Sequence, residues 1–160
     1  VPNRNAIFSS IVYGYCLTIF KRTSRQVTLS LGVHSGDHVI YPDCRSSFYD
    51  QIMKAFKIGN WESENIDIFL PYINMSKASV IKDGINSCKL LNIDYKKVFN
   101  NTLTTYYPDK NGYSNGKTGS DIERILAFNE LKVEDPGKYL KPWKELVKHA
   151  INTEKNINKS

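Results

Sequence analysis

Cysteine is scarce in this chain of 160 residues: Cys16, Cys44 and Cys88 stand far apart, and no two share a Cys-x-x-Cys spacing. That excludes a zinc ribbon and an even disulfide framework, and a reducing, cytoplasmic compartment is the simplest expectation. No apolar run approaches the roughly 20 residues that cross a bilayer, so no membrane partner is expected. A basic segment leading into an apolar core, as in a secretory leader, is also missing. Arginine is missing from the basic end of the chain: residues 138–160 supply six lysines against Glu145 and Glu154, with Tyr139 and Trp143 the only aromatics. A nucleic-acid surface interleaves arginine and stacking aromatics, so nucleic acid is not expected as a partner. A solvated helix and a frayed tail is the plainer reading. There is no internal repeat and no low-complexity segment.

What is present is ordinary for a soluble globular domain: 41% hydrophobic residues, 24% charged residues and a net charge of +6. The length suits one domain over residues 1–160. Arg4 to Phe20 carries Ile7, Phe8, Ile11, Val12, Tyr15, Cys16 and Ile19 around most of its circumference, which predicts a largely buried helix. Val27 to Val33 predicts a strand. Ser46 to Lys57 predicts an amphipathic helix with Phe48, Ile52, Met53 and Phe56 inward and Gly59 as its C-cap. Ile66 to Leu70 predicts a second strand closed by Pro71. Ser76 predicts the N-cap of a helix through Leu91. Residues 92–117 read as a long polar loop. Ser120 and Glu123 fit a capping box for a helix to Leu131, and Pro142 predicts the start of a last helix.

This order is α/β: part of a parallel Rossmann-like sheet with a helical C-terminal region. Two strands cannot make a sheet buried on both faces. The sequence also opens in what reads as a loop entering a helix. Both features predict a fragment, the C-terminal portion of a longer domain whose other strands come from an N-terminal segment or from a partner chain.

The chemistry is concentrated in Gly32 to Arg45, between the first strand and its helix. This stretch holds His34, Asp37, His38, Tyr41, Asp43 and Arg45. Ligands of α/β sheets bind beyond the carboxyl ends of the strands. Arg45 and Lys77 are each predicted in the first turn of a helix, where the backbone dipole already repels a cation. Two such cations at one sheet edge predict a phosphate or carboxylate site. The alternative is that each bends into solvent or pairs with a neighbouring acid, such as Asp43 for Arg45. Arg4 invites the same argument. Asp37 has no capping duty and is the better candidate for Mg²⁺ or a substrate amine, while Asp43 suits an N-cap. His34 and His38, four apart in a loop, suit hydrogen bonding better than metal. Gly116-Lys117-Thr118 resembles the end of a P-loop, but Asn111 stands where the first glycine is needed and no strand precedes it.

The segments Val1-Pro2-Asn3-Arg4-Asn5, Gly32 to Arg45 with Tyr41-Pro42-Asp43-Cys44-Arg45, Lys77 at its helix start and Arg124 resemble the 7-cyano-7-deazaguanine synthases. These are PP-loop (N-type) ATP pyrophosphatases with an adenine nucleotide alpha hydrolase-like fold. The resemblance covers roughly Val1 to Trp143. It implies adenylation of 7-carboxy-7-deazaguanine by ATP, displacement of AMP by ammonia, and a second activation with loss of water to give the nitrile. The product would feed queuosine synthesis or deazaguanine modification of DNA. It further implies that Arg4, Arg45 and Lys77 neutralise phosphate charge, that Asn5, Asp37, Tyr41 and Asp43 bind the deazapurine or Mg²⁺, and that the enzyme is a homodimer.

Two departures from the family pattern stand out. The Ser-Gly-Gly-x-Asp-Ser pyrophosphate loop is not in this sequence. The four zinc cysteines of the family align with Thr105, Asn115, Thr118 and Asp121, none of them a thiolate, so no structural zinc is expected. The Ser120/Glu123 box and Tyr106, Tyr107 and Tyr113 are expected to hold that loop instead. Two other readings stay open: a remnant that binds a nucleotide or deazapurine without ATP chemistry, and a related ligase that adenylates a different carboxylate.

Overall fold

The computed structural model describes residues 3–37 and 41–157. Of the expectations above, those on Val1, Pro2 and His38 lie outside these residues. The chain divides into two compact units, residues 1–76 and 77–160.

The first unit is α/β. Helix α1 (Arg4–Thr23) leads to β1 (Val27–Ser30), α2 (Ser46–Gly59) and β2 (Ile66–Phe69). The two strands pair in parallel, with Val27 opposite Ile66 and Ser30 opposite Phe69. Strand alternation sends Val27, Leu29 and Leu31, with Ile66 and Ile68, toward Tyr13 and Cys16 of α1 and Met53 of α2. Burying a side chain the size of Met53 contributes about 1.5–3 kcal/mol. Thr28, Ser30 and Phe69 stand exposed on the opposite face of the sheet.

Helix α1 differs from its expectation. Only Ser9, Tyr13 and Cys16 are buried, while Ile7, Phe8, Ile11, Val12 and Tyr15 are exposed. The cause is the width of the sheet. Strands lie about 4.8 Å apart, so two of them cover only one stripe of a helix with a diameter of about 10 Å. The end of α2 also differs: Gly59 is its last helical residue and Asn60 is the cap, donating its amide to the Phe56 carbonyl at 2.9 Å.

The second unit is helical: α3 (Lys77–Leu90), α4 (Tyr95–Asn100), α5 (Gly119–Glu130) and α6 (Trp143–Ile157). Phe128, Ala127, Ala78 and Ile81 form one core cluster; Ile125, Leu146 and Ala150 form another. Helix α4 interrupts what reads as loop. Asp94 caps it, its side chain accepting from the Lys96 N–H at 3.0 Å. The capping box of α5 is shifted by two residues from its expected place. Thr118 is the N-cap and Asp121 its reciprocal partner, so Ser120 and Glu123 do not form it. Asp121 is 1% exposed and accepts from the Thr118 hydroxyl at 2.6 Å.

The loop between α4 and α5 is not held by the expected tyrosines, since Tyr106, Tyr107 and Tyr113 are all exposed. Arg124 of α5 holds it. Its Nη1 donates to the Thr102 carbonyl and hydroxyl and to the Thr104 hydroxyl, and Nη2 donates to the Phe99 carbonyl. Nε and Nη2 grip buried Asp135 at 2.6 and 2.9 Å, and Asp135 also accepts from the Tyr139 hydroxyl at 2.7 Å. Burial alone would lower the Arg124 proton affinity, but Asp135 more than offsets it and the net direction is upward. Burial and the same carboxylate push the Tyr139 phenol well up.

Gly116 has φ +70°, and a Cβ there would sit 2.4 Å from Leu146 Cδ2. Gly116→Ala is therefore expected to cost about 1–3 kcal/mol, from overpacking and left-handed backbone strain together. A fall in the urea midpoint with the m-value unchanged would register it; an unchanged midpoint would contradict the packing described.

Candidate functional site

The carboxyl end of β1 opens into an ordered loop in the first unit. Ser35 donates both its N–H and its hydroxyl to the Met75 carbonyl, at 3.0 and 2.9 Å, tying this loop to the one that follows β2. His34 is buried and its Nδ1 accepts from the Gly36 N–H at 3.1 Å. That bond leaves the neutral ring's proton on Nε2, which lies 3.3 Å from Asp37 Oδ2. A hydrogen-bonding role is what the sequence predicts for His34. Tyr41 donates its N–H to the Asp37 carbonyl at 2.8 Å, and Tyr41 itself is exposed.

Pro42 to Cys44 form a single 3₁₀ turn, and Arg45 is the N-cap of α2. Asp43 does not cap α2. Its carboxylate reaches back 38 residues and accepts from the Asn5 N–H at 3.1 Å, in the first turn of α1. Asn3, the N-cap of α1, provides no side-chain bond, so Asp43 supplies both an acceptor and a negative charge to that helix start. The Asn5 amide completes the tie, donating to the Asp43 carbonyl at 3.1 Å and approaching Cys44 Sγ at 3.2 Å. Arg4, Asn5, Asp43, Cys44 and Arg45 are thereby fixed at two adjoining helix starts. Asp37 belongs to the same electrostatic neighbourhood: its charge, with those of Asp43 and Arg4, acts on both Cys44 and Tyr49.

Arg45 stands exposed, one residue before the helical turn in which it is expected. Lys77 is the first residue of α3, in the second unit, and its ammonium pairs with the Glu123 carboxylate. The sequence gives Glu123 a capping duty. With the box shifted to Thr118 and Asp121, Glu123 is available to Lys77. Carboxylates of the chain itself thus answer part of the positive charge at the starts of α1 and α3. Among the described residues, no three His, Cys, Asp or Glu side chains group as metal ligands would. No helix among them is long and apolar enough to cross a membrane.

Tyr49 has no place in the sequence reading, and Cys44 enters it only in the cysteine count and as part of a motif. Both are buried beneath the loop, and burial pushes the Cys44 thiol up from its ordinary value. The Tyr49 hydroxyl is 2% exposed as a residue and has no hydrogen-bond partner among the described residues. Burial first, then the negative charge of Cys44, Asp43 and Asp37, push this phenol up to about 12. A folded pKa above the unfolded value near 10 means that Tyr49 adds stability below about pH 10, which fades as the pH rises toward 12. Tyr49→Phe is expected to leave stability at pH 7 unchanged or raised, because it removes an unsatisfied buried hydroxyl. It should also weaken the loss of stability in alkali. Denaturant titrations at neutral and alkaline pH check both, and a marked loss at neutral pH would show that the hydroxyl has a partner.

The chain is similar to known proteins over most of its length. The sequence model of one family, described as queuosine biosynthesis protein QueC, matches residues 1–132. A protein named 7-cyano-7-deazaguanine synthase 1 from Colwellia psychrerythraea is 40% identical over 141 residues, which is 87% of this chain and 56% of that relative. Proteins named 7-cyano-7-deazaguanine synthase from Psychromonas ingrahamii and Rickettsia conorii are each 38% identical, over 87% and 88% of this chain and 55% and 57% of theirs. The chain thus spans about half the length of the curated relatives it matches. No solved structure matches it.

Proposed function

The chain belongs to the queuosine biosynthesis protein QueC family, and from that membership we propose that it is part of an ATP-dependent 7-cyano-7-deazaguanine synthase. The observation that carries the reading is the tie from Asn5 to Asp43 and Cys44, which gathers cations and carboxylates where an α/β sheet presents its ligands. The sheet would be the edge of a larger Rossmann-like one, and residues 1–160 the C-terminal part of a single ATP pyrophosphatase-type domain. The exposed stripe Ile7, Phe8, Ile11, Val12 and Tyr15 fits this, since further strands from an N-terminal segment or a partner chain would cover it.

In the reaction, the carboxylate oxygen of 7-carboxy-7-deazaguanine attacks the α-phosphorus of ATP and pyrophosphate leaves. Ammonia then adds to the acyl carbon and AMP departs, giving the amide. A second ATP adenylates the amide oxygen with release of pyrophosphate, and departure of AMP, which carries that oxygen away, with loss of a proton gives the nitrile. Arg4 and Arg45 suit the task of neutralising charge that grows on the phosphates. Lys77 suits the same task by its chemistry, its ammonium being able to exchange Glu123 for a phosphate. Asp37 and Asp43 have the hard oxygen donors that Mg²⁺ prefers, and Mg²⁺ would screen the polyphosphate when bound. Asn5 and Tyr41 would contact the deazapurine. The homodimer and the cytoplasmic setting expected from the sequence belong to this proposal too.

Adenylation is reversible, which gives the test. The full-length protein should move labelled pyrophosphate into ATP only when 7-carboxy-7-deazaguanine is present. Absence of exchange with substrate binding retained would sink the adenylation reading and leave a binding protein. The positions aligned with the family's zinc cysteines hold Thr105, Asn115, Thr118 and Asp121, and all four are engaged within the protein: the Thr105 hydroxyl accepts from the Tyr107 N–H at 3.3 Å. Asn115 accepts from the Lys117 N–H, while Thr118 and Asp121 cap α5. Elemental analysis should therefore find no stoichiometric zinc, and one zinc per chain would contradict this.

A further inference from the structure

We propose that the second unit carries a binding pocket for an inorganic oligophosphate, built on residues that the reaction above does not use. The loop before α5 and one face of α6 line an open surface pocket of about 310 Å³. Lys117, Lys141, Lys148 and His149 line it. Glu145, the only acid among the described residues of the lining, lies 3.7 Å from Lys141, so it offsets one lysine and leaves a positive excess in the concavity. Glu145, Lys148, His149 and Asn152 recur at i, i+3, i+4 and i+7, which puts them on one face of α6. Like charges gathered in a cleft repel each other and focus a field that draws an anion in.

The loop side is ordered. Ser114 Oγ accepts from the Gly116 N–H at 3.0 Å and Asn115 Oδ1 from the Lys117 N–H at 2.9 Å. Gly116 packs against Leu146, the cavity's apolar floor. Lys117 is thus presented by a fixed backbone. This gives the Gly116-Lys117-Thr118 tripeptide a role: it lacks the geometry of a P-loop, but its lysine belongs to a cationic pocket.

The chemistry of the ligand follows from the lining. Lysines bind phosphate oxygens as point charges, and the Asn115 and Asn152 amides add neutral polar groups. Among the described residues no Phe, Tyr or Trp lines the cavity, so a nucleotide base would find only the small His149 ring to stack on. The volume lies at the small end for ligand sites, which suits a di- or triphosphate without a base.

The test titrates the full-length protein with pyrophosphate at constant pH and ionic strength, following the imidazole proton resonance of His149. His149→Gln assigns that resonance by its disappearance. Pyrophosphate should shift it saturably while chloride does not. The Lys117→Ala/Lys148→Ala double variant, altered only at exposed side chains, should weaken binding by about tenfold or more. No shift up to about 10 mM pyrophosphate, a range that reaches past weak millimolar affinities, would overturn the proposal. So would an unchanged dissociation constant in the double variant, or a shift produced by single-stranded RNA and not by pyrophosphate. The reporter lies in this pocket alone, so the result stays readable whether or not the adenylation reading survives.

Discussion

Asp135→Ala should destabilise the second unit by about 3–5 kcal/mol, because it strands a buried guanidinium. Arg124 is 7% exposed and gives two of its donors to Asp135. The same carboxylate receives the Tyr139 hydroxyl and the Gly137 N–H, so its loss orphans donors on three residues. The bonds from Arg124 to Phe99, Thr102 and Thr104 depend on a guanidinium held in place, and the loop between α4 and α5 should loosen with it. Its backbone amides should then exchange faster with solvent. A double variant, Arg124→Met with Asp135→Leu, removes both charges and should recover much of the loss, since apolar replacements of buried ion pairs are often well tolerated. Chemical denaturation of the three proteins checks the pattern. A single variant within about 0.5 kcal/mol of wild type, the range of ordinary surface substitutions, would show that the network is not what holds this region.

Arg45→Ala should lower nitrile formation by the full-length protein about 100-fold or more, the usual effect of removing one preorganised donor to developing charge. Stability should barely change, because Arg45 is exposed. Arg45→Lys should restore only part of the rate, as an ammonium keeps the charge but loses the planar fork. Steady-state rates with an unfolding curve for each variant separate these effects. Full turnover by Arg45→Ala would remove Arg45 from the reaction.

How much of this was legible in the sequence depends on the range of the interaction. Local patterns read well. The strand beginning at Val27, though it ends at Ser30 rather than Val33, the apolar face of α2 and the Ser76–Lys77 helix start all lie where the linear pattern predicts. The motifs around Tyr41 to Arg45 also point to the family that the comparisons support. Local signals failed where two compete. Both Ser120/Glu123 and Thr118/Asp121 satisfy the capping-box spacing, and nothing in the linear pattern says which serves. Asp94 and the short helix α4 were hidden in a polar stretch, because six helical residues give too little periodicity to stand out. Long-range ties left no trace at all. Asn5 and Asp43 are 38 residues apart, Lys77 and Glu123 are 46 apart, and only the fold decides that they meet. That is why cations at helix starts read as a site awaiting an outside anion, whereas the chain supplies part of the counter-charge itself. The buried stripe expected on α1 misled for a related reason: the apolar pattern reports what a helix can bury, not how many strands are present to bury it.

The measurement that bears most directly on the account is mass spectrometry of the full-length protein incubated with 7-carboxy-7-deazaguanine, ATP, Mg²⁺ and ammonium. The account predicts 7-cyano-7-deazaguanine, formed with release of AMP and pyrophosphate and lost when ATP is withheld. A folded protein that leaves the acid unconverted, or that stops at the amide, would contradict it.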